Sequence, residues 1–209
     1  LRKAKKNRRY LMFLHTPTLK KLFKKAYGST GLMVANFDGQ IYVAGGYWAI
    51  SLDVQYLPNR VKAAIIEHCG ELPERDQVFK ATKEEIQYGI PLSSIYDLRK
   101  DFKNAKTTLS KTPVVIEKSW FSCRLYQVDS THEFKAVSKE LLSMIDIREM
   151  EQEFENMPSG PSCRGEHSDI VYWQNATCTL ALCTFRLDAE QEIEILNTLK
   201  QIDFAKEDK

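Results

Sequence analysis

The sequence predicts an α+β protein built from antiparallel sheets with helices packed on one face. Three features point there. Residues 168–187 read as two adjacent strands about a polar turn, Asn175-Ala176-Thr177, with Ile170, Tyr172, Leu180 and Leu182 apolar at period two, as in a half-buried sheet. Asp38-Gly39 lies between two apolar runs, a strong hairpin signal. Residues 10–52 and 120–187 then repeat one order of elements, strand, helix, strands, without repeating their letters. With 209 residues and 43% hydrophobic content the chain can bury a real core, which excludes the disordered class.

The elements follow in order. Residues 1–9 are a basic run expected to move unless docked on a partner, and residues 10–14 make a short strand. A helix opens at Thr16-Pro17-Thr18, with Thr16 as N-cap and Pro17 tolerated in the first turn. Leu19, Leu22, Phe23 and Ala26 form its buried stripe, Lys20, Lys21, Lys24 and Lys25 fall on the other side, and Gly28 ends it. Strands over 32–37 and 41–52 flank the Asp38-Gly39 turn, with Gly45-Gly46 a bulge or bend. A second helix over 58–68 buries Val61, Ala64 and Ile65, carries His68 at its end and closes at Gly70. Beyond it the pattern weakens. Gly89-Ile90-Pro91 marks a turn, Ile95, Leu98 and Phe102 line a short helix, and the Thr/Ser/Lys-rich 103–112 reads as a linker or long loop. Strands are expected over 114–116 and 122–128. A third helix is expected over 132–145, with Phe134, Val137, Leu141, Leu142 and Ile145 inside and Lys135 and Lys139 outside. An edge strand over 148–155, a loop over 157–162, and a last helix capped by Asp188 with the seam Ile193, Leu196 and Leu199 complete the chain.

Charge is unevenly placed. Ten Lys/Arg and no acid precede Asp38, although the whole chain carries only +2. A basic end on an acidic body suits a polyanionic partner, and a solvated helix face accounts for the same pattern. The five cysteines are odd in number and dispersed, as in a cytoplasmic protein with reduced, buried thiols. No apolar run is long enough to span a membrane, and the start at Leu1 rather than Met implies residues missing before it.

Catalytic chemistry finds no obvious seat. Cys163-x3-His167 with Cys178-x4-Cys183 is the one candidate metal set. Residues 178 and 183 fall on opposite faces of a strand, so no metal and no cofactor is expected. Gly45-Gly46 lacks the context of a phosphate loop, and Asn175-Ala-Thr177 matches a glycosylation acceptor only in form. An enzyme is therefore not expected.

Residues 125–187 resemble the closing half of a domain of a bacterial DNA polymerase sliding clamp. Those clamps end in Met-Pro-Met-Arg-Leu, and here Cys183-Thr184-Phe185-Arg186-Leu187 keeps only the Arg-Leu and the apolar/polar order. Leu19-Lys-Lys-Leu-Phe-Lys-Lys25 stands where the first clamp helix would, and residues 32–43 are similar to its Asp-Gly hairpin. The chain departs from the family in a long 53–119 segment, in 22 residues after Leu187, and in a total well short of a three-domain subunit. The resemblance implies a shortened, clamp-like protein of a phage or mobile element, made of repeated strand-helix-strands units. An N-terminal half, 1–105, would carry an inserted segment, 53–112, and a C-terminal half, 106–209, would include the last helix, with one duplicated domain as the alternative. It implies a processivity factor that touches duplex DNA without reading sequence, through Lys20, Lys21, Lys24, Lys25, Lys135 and Lys139. It also implies a pocket bordered by Cys183, Phe185 and Leu187 for polymerase or other replication proteins, and self-association. Two other classes stay open: a protein-interaction or structural module without DNA contact, and a cysteine enzyme.

Overall fold

Pro17 sits in the first turn of α1 (Thr16–Tyr27), where its missing N–H costs nothing, and His15 precedes the helix with its ring 2.8 Å from the Thr18 hydroxyl. The computed structural model describes residues 12–119, 121–148, 150 and 157–207. The basic run 1–9 and nearly all of the edge strand expected over 148–155 lie outside those residues, as does the first part of the strand expected at 10–14. Of that strand, Leu14 forms a single bridge to Ile145. Leu19, Leu22, Phe23 and Ala26 are buried as the periodicity requires, each large side chain contributing about 1.5–3 kcal/mol.

Asp38 and Gly39 take positive φ, 49° and 71°, and make the two-residue turn joining β1 (Leu32–Phe37) to β2 (Gln40–Ala44), with Phe37 opposite Gln40. Gly45-Gly46 is a second hairpin turn rather than a bulge, so the strand expected over 41–52 is divided. β3 (Trp48–Asp53) returns with Ala49 opposite Ala44. A Cβ on Gly45 would lie 2.7 Å from the Trp48 indole nitrogen, so the turn requires glycine there. α2 (Asn59–Cys69) buries Val61, Ala64, Ile65 and Cys69 and ends at Gly70, φ 78°. It lies beside α1, and the His68 ring stacks on Tyr27 at 5.1 Å.

β4 (Gln77–Ala81) and the short β5 (Ile86–Gln87) follow, then α3 (Leu98–Asn104), capped by the Asp97 carboxylate, which accepts the Lys100 N–H at 3.0 Å. The remainder is β6 (Thr107–Glu117), β7 (Ser122–Val128), β8 (Phe134–Ser138), α4 (Lys139–Leu142), β9 (Ser159–Cys163), β10 (Ile170–Gln174), β11 (Cys178–Cys183), α5 (Glu190–Leu199) and α6 (Phe204–Glu207). Among the described residues eleven strands form one antiparallel sheet in the order β5-β4-β1-β2-β3-β11-β10-β9-β6-β7-β8. At the β3–β11 pair two three-strand meanders meet, β1-β2-β3 and β9-β10-β11. The strand, helix, strands order expected to recur over 120–187 does not, because Phe134–Ser138 is a strand.

Other expected elements are different, among them the loop expected over 157–162, where Ser159–Cys163 is β9. Residues 132–145 are not a helix: Phe134–Ser138 is β8, and only Lys139–Leu142 turns as α4. Phe134 and Ala136 pack on one side of the sheet and Val137 on the other, a period of two that the spacing of 134, 137, 141 and 145 conceals. Pairing with β7 overrides helix propensity. Residues 103–112 are not a linker, because β6 begins at Thr107 and buries Leu109 and Thr112. Pro113 falls where the β6–β7 register shifts, so its missing N–H breaks no regular ladder.

The middle of the sheet is buried on both faces. Ile41 and Val43 face α1 and α2, while Tyr42 and Ala44 face α3. By the same rule Leu180 and Leu182 share a side with Trp173, opposite to Tyr172. α5 folds back so that Leu196 and Leu199, with Phe185 and Leu187, pack over Cys123, Leu125 and Ala136. Ile193 is 45% exposed, so the seam differs from the expected one. Glu192 is buried instead, accepting the Ala189 N–H at 3.2 Å and pairing with Lys118. The fully buried Gln127 ties down the following segment, donating to the Ile202 carbonyl at 2.7 Å and accepting the Phe204 N–H at 2.9 Å.

Gln127→Leu leaves both backbone groups unpaired and should lower unfolding stability by about 2–3 kcal/mol in urea titrations. An unchanged midpoint would exclude this tie. The hydrogen bond from Lys118 holds the Glu192 carboxyl below the ordinary glutamate range. The pairing therefore stabilises the folded chain above that ordinary range and stops doing so as pH falls through the depressed value. Between about pH 5 and about pH 3 the wild type should lose more stability than Glu192→Gln. Equal losses would show that the pair contributes nothing.

Candidate nucleic-acid interface

α1 contains no acid, and Lys20, Lys21, Lys24 and Lys25 are all exposed. The i,i+4 pairs Lys20–Lys24 and Lys21–Lys25 repel one another. Among the described residues only Lys25 of the four joins an ion pair, with Glu140 at 2.8 Å. At about 100° per residue, Lys21 and Lys25 border one side of the helix, and Lys20 stands near the side where Tyr27 meets α2. α2 carries the exposed Arg60 and Glu67 and the half-buried Lys62. The four α1 lysines thus form one arc on the outer side of the helix layer.

The other two expected contacts do not join it. Lys135 is on a strand, only 9% exposed, and its ammonium donates to the Glu166 carbonyl. Alternation on β8 turns it inward, where a helix would have turned it out. Lys139 is exposed on α4 and pairs with Glu117 at 3.0 Å.

Beside α1 lies a cleft of about 220 Å³, walled by α1, by the turn between β2 and β3, by the start of α4, and by Phe121 and Phe185. Of the three residues expected at a pocket, Phe185 lines it. Cys183 instead donates its N–H to the Tyr47 carbonyl at 2.9 Å, and Leu187 packs in the cluster under α5. Tyr47, Trp48 and Phe121 complete the aromatic lining, and sequence reasoning missed them. Tyr47 follows the double glycine of a turn, so no strand alternation assigns it a face. Its ring is 62% exposed and 6.2 Å from that of Phe185, which stands 5.3 Å from Phe121. Trp48 stacks on Phe23 at 5.7 Å and anchors the cleft to the core.

The remaining motifs are structural. Asn175 is buried, and its side-chain oxygen accepts the N–H groups of Thr177 and Cys178 at 3.0 Å each, building the β10–β11 turn. Among the described residues no three His, Cys, Asp or Glu side chains are grouped to hold a metal. Cys178 is in the core below α1 and α2, whereas Cys183 is half-buried at the end of β11. Burial pushes the Cys69 and Cys178 thiols up to about 12, and those of Cys123 and Cys183 upward too. These four are held as thiols, the poor nucleophilic form. No helix among the described residues is long and apolar enough to cross a membrane.

In the native protein at about pH 8, iodoacetamide should modify Cys183 before Cys69 or Cys178, which should react only on unfolding. Mass spectrometry of the labelled peptides reads the order, and native labelling of Cys178 at the rate of a free thiol would contradict its burial. In comparisons with known proteins, no family model and no curated protein sequence matches the chain.

Proposed function

We propose that the protein is a non-enzymatic, clamp-like accessory protein that meets the phosphates of duplex DNA without reading sequence. The observation that carries this reading is the α1 face, where Lys20, Lys21 and Lys24 stand exposed, with no ion partner among the described residues and no acid on their own helix. Their mutual repulsion is relieved when a polyanion lies along the helix. α1 and α2 side by side on one antiparallel sheet also support a clamp-like body, although the second basic helix expected over 132–145 is a strand at Phe134–Ser138. The reading places the protein in the cytoplasm beside replication proteins. One observation favours a second reading, a protein-interaction module: the aromatic cleft with the exposed Tyr47.

Duplex affinity should fall steeply with salt, by about 0.9 in log K per log salt for each phosphate engaged. Changing Lys20, Lys21 and Lys24 together to Glu should weaken binding about a hundredfold or more at low salt, with the urea midpoint retained. Fluorescence anisotropy at two salt concentrations is the measurement. Salt-independent binding, or none at low salt, rejects the proposal.

A further inference from the structure

The cleft and the lysine arc share one helix. Leu22, Lys25 and Ala26 form one wall of the cleft, and Lys21 follows Lys25 around the outer side of α1. Tyr47, Phe121 and Phe185 offer ring faces opposite, in a chain of contacts at 6.2 and 5.3 Å. The two charged groups of the lining, Lys25 and Glu140, neutralise each other, so the rim itself repels neither sign strongly. At about 220 Å³ the cleft is smaller than the roughly 300–1,000 Å³ usual for drug-sized ligands and suits one planar group. A planar aromatic group joined to a chain of negative charge is what complements rings beside a lysine-bearing helix.

We propose that this cleft receives an unpaired nucleobase, stacked on Tyr47 and Phe185, from a strand whose phosphates run along the lysines of α1. The proposal rests on the phosphate-contacting reading of α1 and narrows its ligand to DNA in which duplex meets single strand. Stacking on an aromatic face is tolerant of base identity, in keeping with contact that reads no sequence. The backbone at Tyr47 is already positioned for this, because its carbonyl accepts the Cys183 N–H and the glycine pair turns the chain there.

The test compares three ligands by anisotropy with the full chain: a blunt duplex, the same duplex ending in a fork of unpaired thymidines, and an identical fork of abasic residues. The thymidine fork should bind about tenfold more tightly than the abasic fork, which carries the same phosphates. Tyr47→Ala should erase that advantage and leave blunt-duplex affinity unchanged, while Tyr47→Phe should keep it. Equal binding of the two forks overturns the proposal and leaves the lysine reading standing; failure of the blunt duplex to bind at low salt overturns both. An advantage that survives Tyr47→Ala places the base elsewhere, and a loss shared by the blunt duplex gives Tyr47 another role; either result overturns the proposal.

Discussion

The antiparallel pairing of Trp48–Asp53 with Cys178–Cys183 joins segments far apart in the chain and converts two short meanders into one sheet. Closing so long a loop costs entropy before any contact is made, and the cost grows only slowly with length. What offsets it is burial on both sides of the seam. Ile50, Leu52, Leu180 and Leu182 fill the side under α1 and α2. On the other side Ala49 and Ala181 present small side chains, which lets α3 approach closely. Hydrogen bonds continue the ladder at each end, from Asp53 N–H to the Thr177 carbonyl and from Cys183 N–H to the Tyr47 carbonyl, both at 2.9 Å.

That last bond links the fold to the candidate site. It holds the turn between β2 and β3 against the end of β11, so Tyr47 stands beside Phe185 rather than swinging free. The same seam fixes the height of Trp48, whose indole fills the space over Gly45 and stacks on Phe23 of α1. α1 is therefore tied to the aromatic cleft on one side and, through Tyr27 and His68, to α2 on the other. Its outer face needs no acidic partner to stay folded, because the buried stripe carries the stability. A lysine arc can then be maintained at the small cost of surface repulsion.

The C-terminal segment closes the far end of the sheet by a different balance. Leu196 and Leu199 give it only a narrow apolar contact, and polar ties complete the attachment. Gln127 holds the 202–204 backbone, the His132 ring meets the Lys200 carbonyl at 3.1 Å, and Lys200 pairs with Glu133 at 2.6 Å. Phe204 adds an edge-on contact with Phe134 at 6.3 Å. Such a segment is anchored by directional groups more than by area, so its stability answers to pH and to single polar substitutions.

Where local chemistry decides conformation, the sequence by itself determined the outcome. Asp38-Gly39 sets its hairpin because positive φ at both positions matches the twist of the strands. α1 and α2 follow from stripes at helical spacing bounded by Pro17, Gly28 and Gly70, and β10 and β11 follow from alternation about the Asn175 turn. The four lysines of α1 were legible for the same reason. Tertiary structure alone decided the rest. Residues 134–138 satisfy helical and strand periodicity alike, and only pairing with β7 chooses strand, which turns Lys135 inward and removes it from the basic face. The Thr/Ser/Lys-rich start of β6 looks like linker until β7 and β9 supply partners for its backbone. The cleft draws Leu22, Tyr47, Phe121 and Phe185 from four separate segments, so no spacing within any one of them announces it. Periodicity reports how a segment meets its nearest surface; which surfaces meet each other is settled only when distant strands pair.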